Sequence, residues 1–361
     1  MTRISLNGKT DLLSLNRDEL KSFMVELGEP AYRAEQIFTQ FHRGIFPDEM
    51  TNIPKKLKET LLQCACYPLP TVEKKLTSAL DGTVKYLMGL YDGNCVESVV
   101  MKYNHGNTIC ISSQVGCRMG CRFCASTIGG RVRDLLPSEL LGQIIVAERD
   151  TGERIGGVVM MGIGEPLDNF DNVIKFLELV GDEKGLNIGY RHISLSTCGL
   201  VPRIRELAEL NFPITLSISL HAPDDETRSK IMPVNNSYGV DELLSACKAY
   251  FAKTNRRISF EYTLIAGEND SPENAQKLAK VLNSALRSRT ETMPIHVNLI
   301  PVNPVKETGF ESSGKASVQK FAAVLEKHGI RATVRRKLGS DINASCGQLR
   351  RESAKEKNEN N

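Results

Sequence analysis

The sequence contains no run of about 18 apolar residues, the least a membrane-spanning helix needs, and its first twenty residues, MTRISLNGKTDLLSLNRDEL, hold no apolar stretch of the secretory kind. Both absences argue against a membrane or exported protein, and a cytosolic one is expected. A charge excess is missing too: a formal net charge of +3 over 361 residues speaks neither for nor against nucleic acid. No internal repeat or low-complexity segment is present. No GxGxxG opens the first helix of the strand–helix region, which argues against a dinucleotide-binding fold. Cysteine, in contrast, is plentiful, with ten in the chain. A reducing compartment disfavours a structural disulfide framework, so metal, redox or catalytic chemistry must account for at least some of them.

The 41% hydrophobic and 25% charged content is that of a soluble globular protein, and the length suits one large domain with a small satellite. Up to about residue 75 the pattern is helical. Apolar residues recur at helical spacing over Asp18–Leu27, Tyr32–Phe41 and Lys55–Leu62, with breaks at Gly28-Glu29-Pro30, Gly44 and Pro54. Lys85–Tyr91 and Glu97–Tyr103 then flank Asp92-Gly93-Asn94, a hairpin signal. From Thr108 onward strands alternate with helices. Strands are expected at Thr108–Ser112, Gly157–Met161, His192–Ser196, Ile214–Leu220, Ile258–Leu264, His296–Ile300 and Ala332–Arg336. Helices are expected near 138–149, 170–180, 202–210, 241–253, 273–286 and 315–328. This alternation predicts an α/β fold with a parallel sheet, and about six units suit a partial barrel. The expected parts are a helical domain at 1–80, a hairpin connector at 81–107, the barrel at 108–340 and a tail at 341–361. The last ten residues, Glu352 to Asn361, are polar and expected to be disordered. In such folds reactive groups gather at the strand ends.

Gly116-Cys117-Arg118-Met119-Gly120-Cys121-Arg122-Phe123-Cys124 follows the first strand of the alternating region. Three thiolates in so short a loop can converge on one inorganic centre, and the glycines let the backbone curl around it. Iron–sulfur cubanes normally take four cysteines, so three leave one iron open. A zinc site would need a fourth ligand, and the adjacent loop offers none. Unrelated structural cysteines are the remaining alternative.

Cys-x3-Cys-x2-Cys resembles the signature of radical SAM enzymes, whose fold is a partial (β/α)6 barrel. The resemblance implies a [4Fe-4S] cluster on Cys117, Cys121 and Cys124. Its open iron would chelate S-adenosylmethionine (SAM), and one electron from the reduced cluster would cleave the sulfonium to a 5′-deoxyadenosyl radical. The longer string Ile109-Cys110-Ile111-Ser112-Ser113-Gln114-Val115-Gly116-Cys117 resembles the RlmN/Cfr family of RNA adenosine methyltransferases. So do Tyr32-Arg33-Ala34-x-Gln36-Ile37, Asp48–Asn52, Gly164-Glu165-Pro166-Leu167, Ser196-Thr197-Cys198-Gly199, Ser219-Leu220-His221-Ala222, His296–Pro301 and Cys346-Gly347-Gln348-Leu349. The family pattern departs at Ile163, where Met is usual, and at Asn343, where Asp is usual.

Carried over residue by residue, the resemblance implies SAM contacts at Gly164, Glu165, Ser196, Ser219, Leu220, His221 and Asn298. It makes Cys346 the methyl carrier, Cys110 its resolving partner and Glu97 the proton acceptor. Without the resemblance, Glu97 reads as an exposed strand residue, His221 as a structural histidine and Cys346 as incidental. Adenine C2 is electrophilic, so direct methyl displacement from SAM is not available. In the family mechanism Cys346 is methylated by one SAM, and a second SAM generates the radical that activates the S-methyl group for addition to the ring. A base then takes the ring proton, and Cys110 attacks the Cys346 sulfur, leaving a disulfide. Cys64, Cys66, Cys95, Cys198 and Cys247 read as structural.

The implied substrates are 23S rRNA and tRNA at the adenosine 3′ of the anticodon, and the implied electron donor is of the flavodoxin or ferredoxin type. A monomer is expected. Candidate phosphate contacts are the N-terminal helices and the basic groups Lys55-Lys56-x-Lys58, Lys74-Lys75, Arg131-x-Arg133, Arg335-Arg336-Lys337 and Arg350-Arg351. Pro166 and Val115 favour C2 methylation over the C8 methylation of the antibiotic-resistance branch. Other classes compatible with the sequence are a non-catalytic iron–sulfur RNA-binding protein and a zinc-binding structural module.

Overall fold

Short apolar strands and amphipathic helices alternate from Gly106 to Val334 and build one open sheet. A computed structural model describes residues 3–287, 293–305 and 307–344. Cys346, Gly347–Leu349, Arg350-Arg351 and the polar end of the chain lie outside the described residues. The N-terminal part comprises β1 (Ser5–Leu6), β2 (Lys9–Asp11), α1 (Arg17–Glu26), α2 (Tyr32–His42), α3 (Lys55–Cys64) and β3 (Ala65–Cys66). An antiparallel meander follows, β4 (Thr71–Thr77), β5 (Val84–Gly89), β6 (Cys95–Tyr103) and β7 (Gly106–Cys110). A two-stranded ribbon, β8 (Gln114–Gly116) and β9 (Arg131–Asp134), precedes α4 (Pro137–Thr151). The remaining order is β10 (Ile155–Met160), α5 (Phe170–Val180), β11 (Ile193–Thr197), α6 (Val201–Leu210), β12 (Thr215–Ser219), α7 (Asp225–Ile231), α8 (Val240–Thr254), β13 (Ile258–Leu264), α9 (Pro272–Leu286), β14 (His296–Pro301), α10 (Lys315–Lys327) and β15 (Arg331–Val334).

The sheet order is β15-β14-β13-β12-β11-β10-β7-β6-β5-β4. Strands β7 and β10 to β15 are parallel, each joined to the next through a helix layer, as βα alternation requires. The β5–β6 hairpin continues this sheet rather than standing apart from it, because β6 pairs with β7. Among the described residues no helix is long and apolar enough to cross a membrane.

Local chemistry explains the helix ends. Asn16 and Glu19 form a reciprocal cap on α1, Asp224 caps α7 and Ser271 caps α9 ahead of Pro272. Gly152, Asn211 and Asn255 close α4, α6 and α8 in the left-handed conformation.

The two faces of the parallel sheet differ. Leu216, Ile218, Phe260, Tyr262, Val297 and Leu299 join the main apolar core. On the alternate positions Ser219, Glu261, Asn298 and Thr333 lie in register across β12 to β15, with Ser196 beside Ser217 on β11 and β12. Buried parallel strands are usually apolar on both faces, so a polar row marks a face kept for ligands.

The N-terminal helices dock on the outer helices through polar contacts between otherwise apolar surfaces. Arg17 pairs with Asp182 at 2.9 Å and Lys175 with Glu19 at 2.6 Å. The Leu186 N–H donates to Nδ1 of buried His42 at 3.2 Å, and Arg149 donates to the Gly44 carbonyl at 2.6 Å.

Candidate active site

Ribbon β8–β9 holds the ends of the cysteine loop together. Gly116 has φ +79°, and a Cβ there would lie 2.0 Å from the Gly130 carbonyl oxygen, so only glycine permits the crossing. The Cys117 N–H then donates to that same oxygen. The ribbon is anchored by Arg133, which makes a two-pronged pair with buried Glu139 at 2.7 and 2.8 Å, reaches Asp92 at 2.6 Å and lies over the Tyr91 ring. Thr127 Oγ1 donates to the Cys121 and Cys124 carbonyls and rounds off the turn.

Cys117 and Cys121 are buried and Cys124 is half-buried. Burial pushes the Cys117 thiol up to about 12, and the nearby Glu165, Cys124 and Asp168 add to the rise. Cys121 is raised by burial first and then by Cys124 and Cys117. The three thiols therefore sit close enough to repel one another as thiolates, which is what a shared cationic centre relieves. Among the described residues no three His, Cys, Asp or Glu side chains close on a point as ligands of a single ion would. A cubane takes each thiolate on a different iron, and all three thiols here come from one loop. The donor set therefore fits an iron–sulfur cluster.

Around this loop lie the ends of β10 to β14. Cys121 packs in one cluster with Cys198, Ala222, Ile265 and Val302, which follow those strands, and with Ile231 and Met232 at the end of α7. Gly164 has φ +108°, and a Cβ there would lie 2.7 Å from Gln114 N, Gln114 Cβ and Ser113 Oγ. That close approach puts Glu165 inside. Its N–H donates to Gln114 Oε1, its Oε1 accepts from the Leu167 N–H and its Oε2 accepts from the Cys198 N–H at 2.7 Å. Burial raises the Glu165 pKa, and those N–H donors oppose the rise. The Thr197 and Cys198 side chains also hydrogen-bond to this carboxylate.

Leu220 is fully buried, and the Leu220 and His221 N–H groups both donate to the Glu261 carbonyl. His221 has φ +57°, uncommon for a non-glycine residue. Its Nδ1 accepts from the Thr263 N–H at 2.9 Å, and its ring meets Phe123 of the cysteine loop edge-on. Burial, reinforced by Arg228, holds the imidazole down to about 3, so His221 is neutral with its proton on Nε2. Asn298 donates to Glu261 Oε2 at 2.7 Å, which fixes the direction of its amide. Ser196 and Ser219 hydroxyls approach to 3.5 Å.

Arg228 was not singled out by its sequence. It has no exposed surface and donates to the carbonyls of Leu220, Cys198 and Ser219 and to Asn235 Oδ1. One guanidinium thus ties together the loops after β11 and β12. Gln114 and Asp168 were equally silent, yet Gln114 bridges Glu165, Asp134 and Asp168, and Asp168 accepts from Arg118. Cys198, read as structural, lines the apolar cluster beside Cys121.

A second group lies on the meander side. Cys110 ends β7 opposite Val99 and is buried with Val99, Met101, Val159, Met161, Leu338 and Ala344. It lines a cavity of about 510 Å³ walled by Arg335, Arg336, Lys337 and the segment up to Ala344. Glu97 is not the exposed strand residue that its sequence alone suggests. It is 1% exposed and forms an ion pair with equally buried Lys85 at 3.1 Å. A carboxylate in a sheet interior persists because this ammonium accompanies it. The described tail ends at Ala344, two residues before Cys346.

Known proteins match along the same lines. The model of the Radical SAM superfamily matches residues 111–279, and that of the ribosomal RNA large subunit methyltransferase N-terminal domain matches residues 10–67. The "Probable dual-specificity RNA methyltransferase RlmN" of Clostridium novyi is 52% identical over 343 residues, covering 94% of this chain and 98% of its own. That of Lachnospira eligens is 52% identical with 94% and 96% coverage. Among solved structures, a radical SAM methyltransferase from Sphaerobacter thermophilus superposes with a TM-score of 0.86 at 39% identity, covering 94% of this chain and 98% of that one. With both its N-terminal domain and its cysteine loop matched, and half its residues identical to those relatives, the chain belongs to the RlmN family of radical SAM RNA methyltransferases.

Proposed function

We propose that the protein methylates C2 of one adenosine in 23S rRNA and of the adenosine 3′ of the anticodon in tRNA, with Cys346 as methyl carrier. The observation that carries this reading is the packing of Ala344 against Cys110 at the wall of one cavity, with Lys85 of the buried Lys85–Glu97 pair donating to the Asn343 carbonyl of the same tail. A direct methyl transfer would need neither a second cysteine nor a tail brought back to the sheet.

Cys117, Cys121 and Cys124 would hold the cluster. Gly164, Glu165, Ser196, Ser219, Leu220, His221 and Asn298 would hold SAM, Glu165 as acceptor for its ammonium group. When bound, the two supply a transferable methyl group and, on one-electron reduction, a means of hydrogen abstraction. The chain's own residues do the rest. The Cys346 sulfur carries the methyl carbon to the ring. Glu97 receives the proton leaving the ring carbon. The Cys110 thiolate attacks the Cys346 sulfur, the sulfur–carbon bond breaks with its electron pair passing to the ring-bound methylene, which takes up a proton to become the methyl group, and a Cys110–Cys346 disulfide remains.

The RNA must extrude its target base, at a cost of a few kcal/mol. The exposed basic groups of α3 and the cavity rim suit phosphate gripping. Residues 1–80, 81–107, 108–340 and 341–361 would then serve as RNA-facing helices, connector, barrel and methyl-carrying tail. The protein would act in the cytoplasm as a monomer, reduced by a flavodoxin- or ferredoxin-type donor.

Anaerobic reconstitution with iron, sulfide, SAM and an rRNA fragment tests the assignment in wild type and Cys110→Ala. The variant is expected to become covalently joined to RNA without releasing methylated product. Normal turnover by Cys110→Ala would remove its resolving role.

A further inference from the structure

The segment after β15 returns to the β4–β5 turn, more than 250 residues earlier in the chain, and the two are joined reciprocally. A carboxylate of the turn, Asp81, accepts the Gly339 N–H of the tail at 2.8 Å. A carboxylate of the tail, Asp341, accepts the Ala79 N–H of the turn at 2.9 Å and the Ser78 hydroxyl at 2.7 Å. Beyond this clasp, Lys85 Nζ donates to the Asn343 carbonyl at 3.0 Å while pairing with Glu97. The tail bends sharply enough to make all these contacts because Gly339 and Asn343 both take the left-handed conformation, at φ +58° and +46°. A Cβ on Gly339 would meet Ala344 Cβ at 2.6 Å and Thr83 Cγ2 at 3.2 Å.

We infer that the Ser78–Lys85 hairpin segment is the seat of the C-terminal tail, and that Lys85 is a positioning residue that sets the tail against Glu97 and Cys110. An ammonium has three donors on a single nitrogen, so one group can hold a carboxylate and a carbonyl of another chain segment together. Lys85 and Glu97 are each 1% exposed, so removing Lys85 would leave the Glu97 charge buried and uncompensated. Asp81 and Asp341 stand farther out and join the tail to the turn, and Asp81 also accepts the Thr83 N–H within the turn. Burial of Leu338 and Ala344 with Cys110 continues the seat inward. The inference rests on the reading in which Cys346 carries the methyl group.

Asp81→Ala and Asp341→Ala open the clasp from its two sides. Hydrogen exchange of the tail peptide spanning residues 339–344 is expected to speed up in each. RNA methylation should fall roughly tenfold, because a reacting group displaced by a fraction of an ångström loses rate steeply. Iron content and release of 5′-deoxyadenosine without RNA should stay at wild-type levels. The double variant should be little worse than either single one, because both open the same clasp. Lys85→Met should cost about a hundredfold in RNA methylation, and if it fails to fold, the two aspartate variants decide. Unchanged exchange, or methylation within about twofold of wild type in both aspartate variants, would overturn the seat. Cys346→Ala run alongside separates the two ideas: an active Cys346→Ala sinks the methyl-carrier reading and the seat with it, while an inactive one leaves the clasp variants to judge the seat alone.

Discussion

Single residues at the strand ends set the shape of the site. Gly164 has no room for a methyl group and holds a φ that other residues avoid. Gly164→Ala is therefore expected to lower stability by about 2–4 kcal/mol through overpacking and backbone strain. It should also weaken SAM binding, as urea denaturation and equilibrium dialysis would show. SAM affinity equal to wild type would contradict a binding role. Arg228 makes a second case, since its planar fork serves several carbonyls at once. Arg228→Lys leaves at least one of them buried without a donor, at about 1–3 kcal/mol each. The expected result is a lower urea midpoint and faster iron loss, and iron retention like wild type would argue against the tie. The sequence marks Gly164 through its Gly164-Glu165-Pro166-Leu167 motif, but it does not mark Arg228. Arg228 stands in Asp224-Asp225-Glu226-Thr227-Arg228, which reads as a charged, solvated helix start. Only the fold reveals that it points inward.

At the scale of elements, periodicity carried most of the barrel. The strand Ile258–Leu264 occupies the residues expected of it, and α5 spans Phe170–Val180 as its apolar spacing implies. The strand Thr71–Thr77 did not show itself. Its sequence TVEKKLT lies on an exposed sheet edge, where no buried face imposes alternation, so it reads as part of the helical stretch. The β8–β9 ribbon is hidden for a different reason: it is short and held by Arg133 contacts to distant residues.

Two predictions belong to the N-terminal helices. Lys55 and Lys56 are exposed on α3. Reversing Lys55, Lys56 and Lys58 to Glu should weaken RNA binding by tenfold or more and flatten its salt dependence, roughly one unit of slope for each phosphate no longer neutralised. SAM cleavage should be untouched. Unchanged RNA affinity in a filter-binding assay would move the RNA surface elsewhere. His42, at the end of α2, is held down to about 4 by burial, with Asp182 pulling the other way. Its ordinary value is 6.5, so between pH 6.5 and 4 the unfolded chain takes up a proton that the fold refuses. That contribution to stability is present above pH 6.5 and is lost as the pH falls. Relative to His42→Asn, the wild type should lose on the order of 3 kcal/mol between pH 7 and pH 4. Buried Asp11, raised to about 6, acts in the opposite sense, so the difference between the two proteins is the quantity to measure. A pH-independent difference would show that His42 titrates normally.

Across the whole molecule, the candidate site residues fall into two groups, one around the three-cysteine loop and one beside Cys110. The three-cysteine loop is local in sequence, and its spacing alone points to an inorganic centre. The other group is assembled from β5, β6, β7 and the tail, segments separated by most of the chain. No spacing rule could disclose Lys85, and Glu97 looked like surface until β5 covered it. The resemblance named Cys110 and Glu97. The fold adds why they stand together: antiparallel pairing places them on neighbouring strands, and the returning tail packs against Cys110 and is held by Lys85, the ion-pair partner of Glu97. The central claim is that this second group delivers a methyl group from Cys346 to C2 of adenine. Its most direct test is mass spectrometry with nucleotide mapping of RNA methylated under anaerobic conditions by wild type and Cys346→Ala. The account predicts 2-methyladenosine from the wild type and none from the variant; a methyl group at C8, or full activity without Cys346, would contradict it.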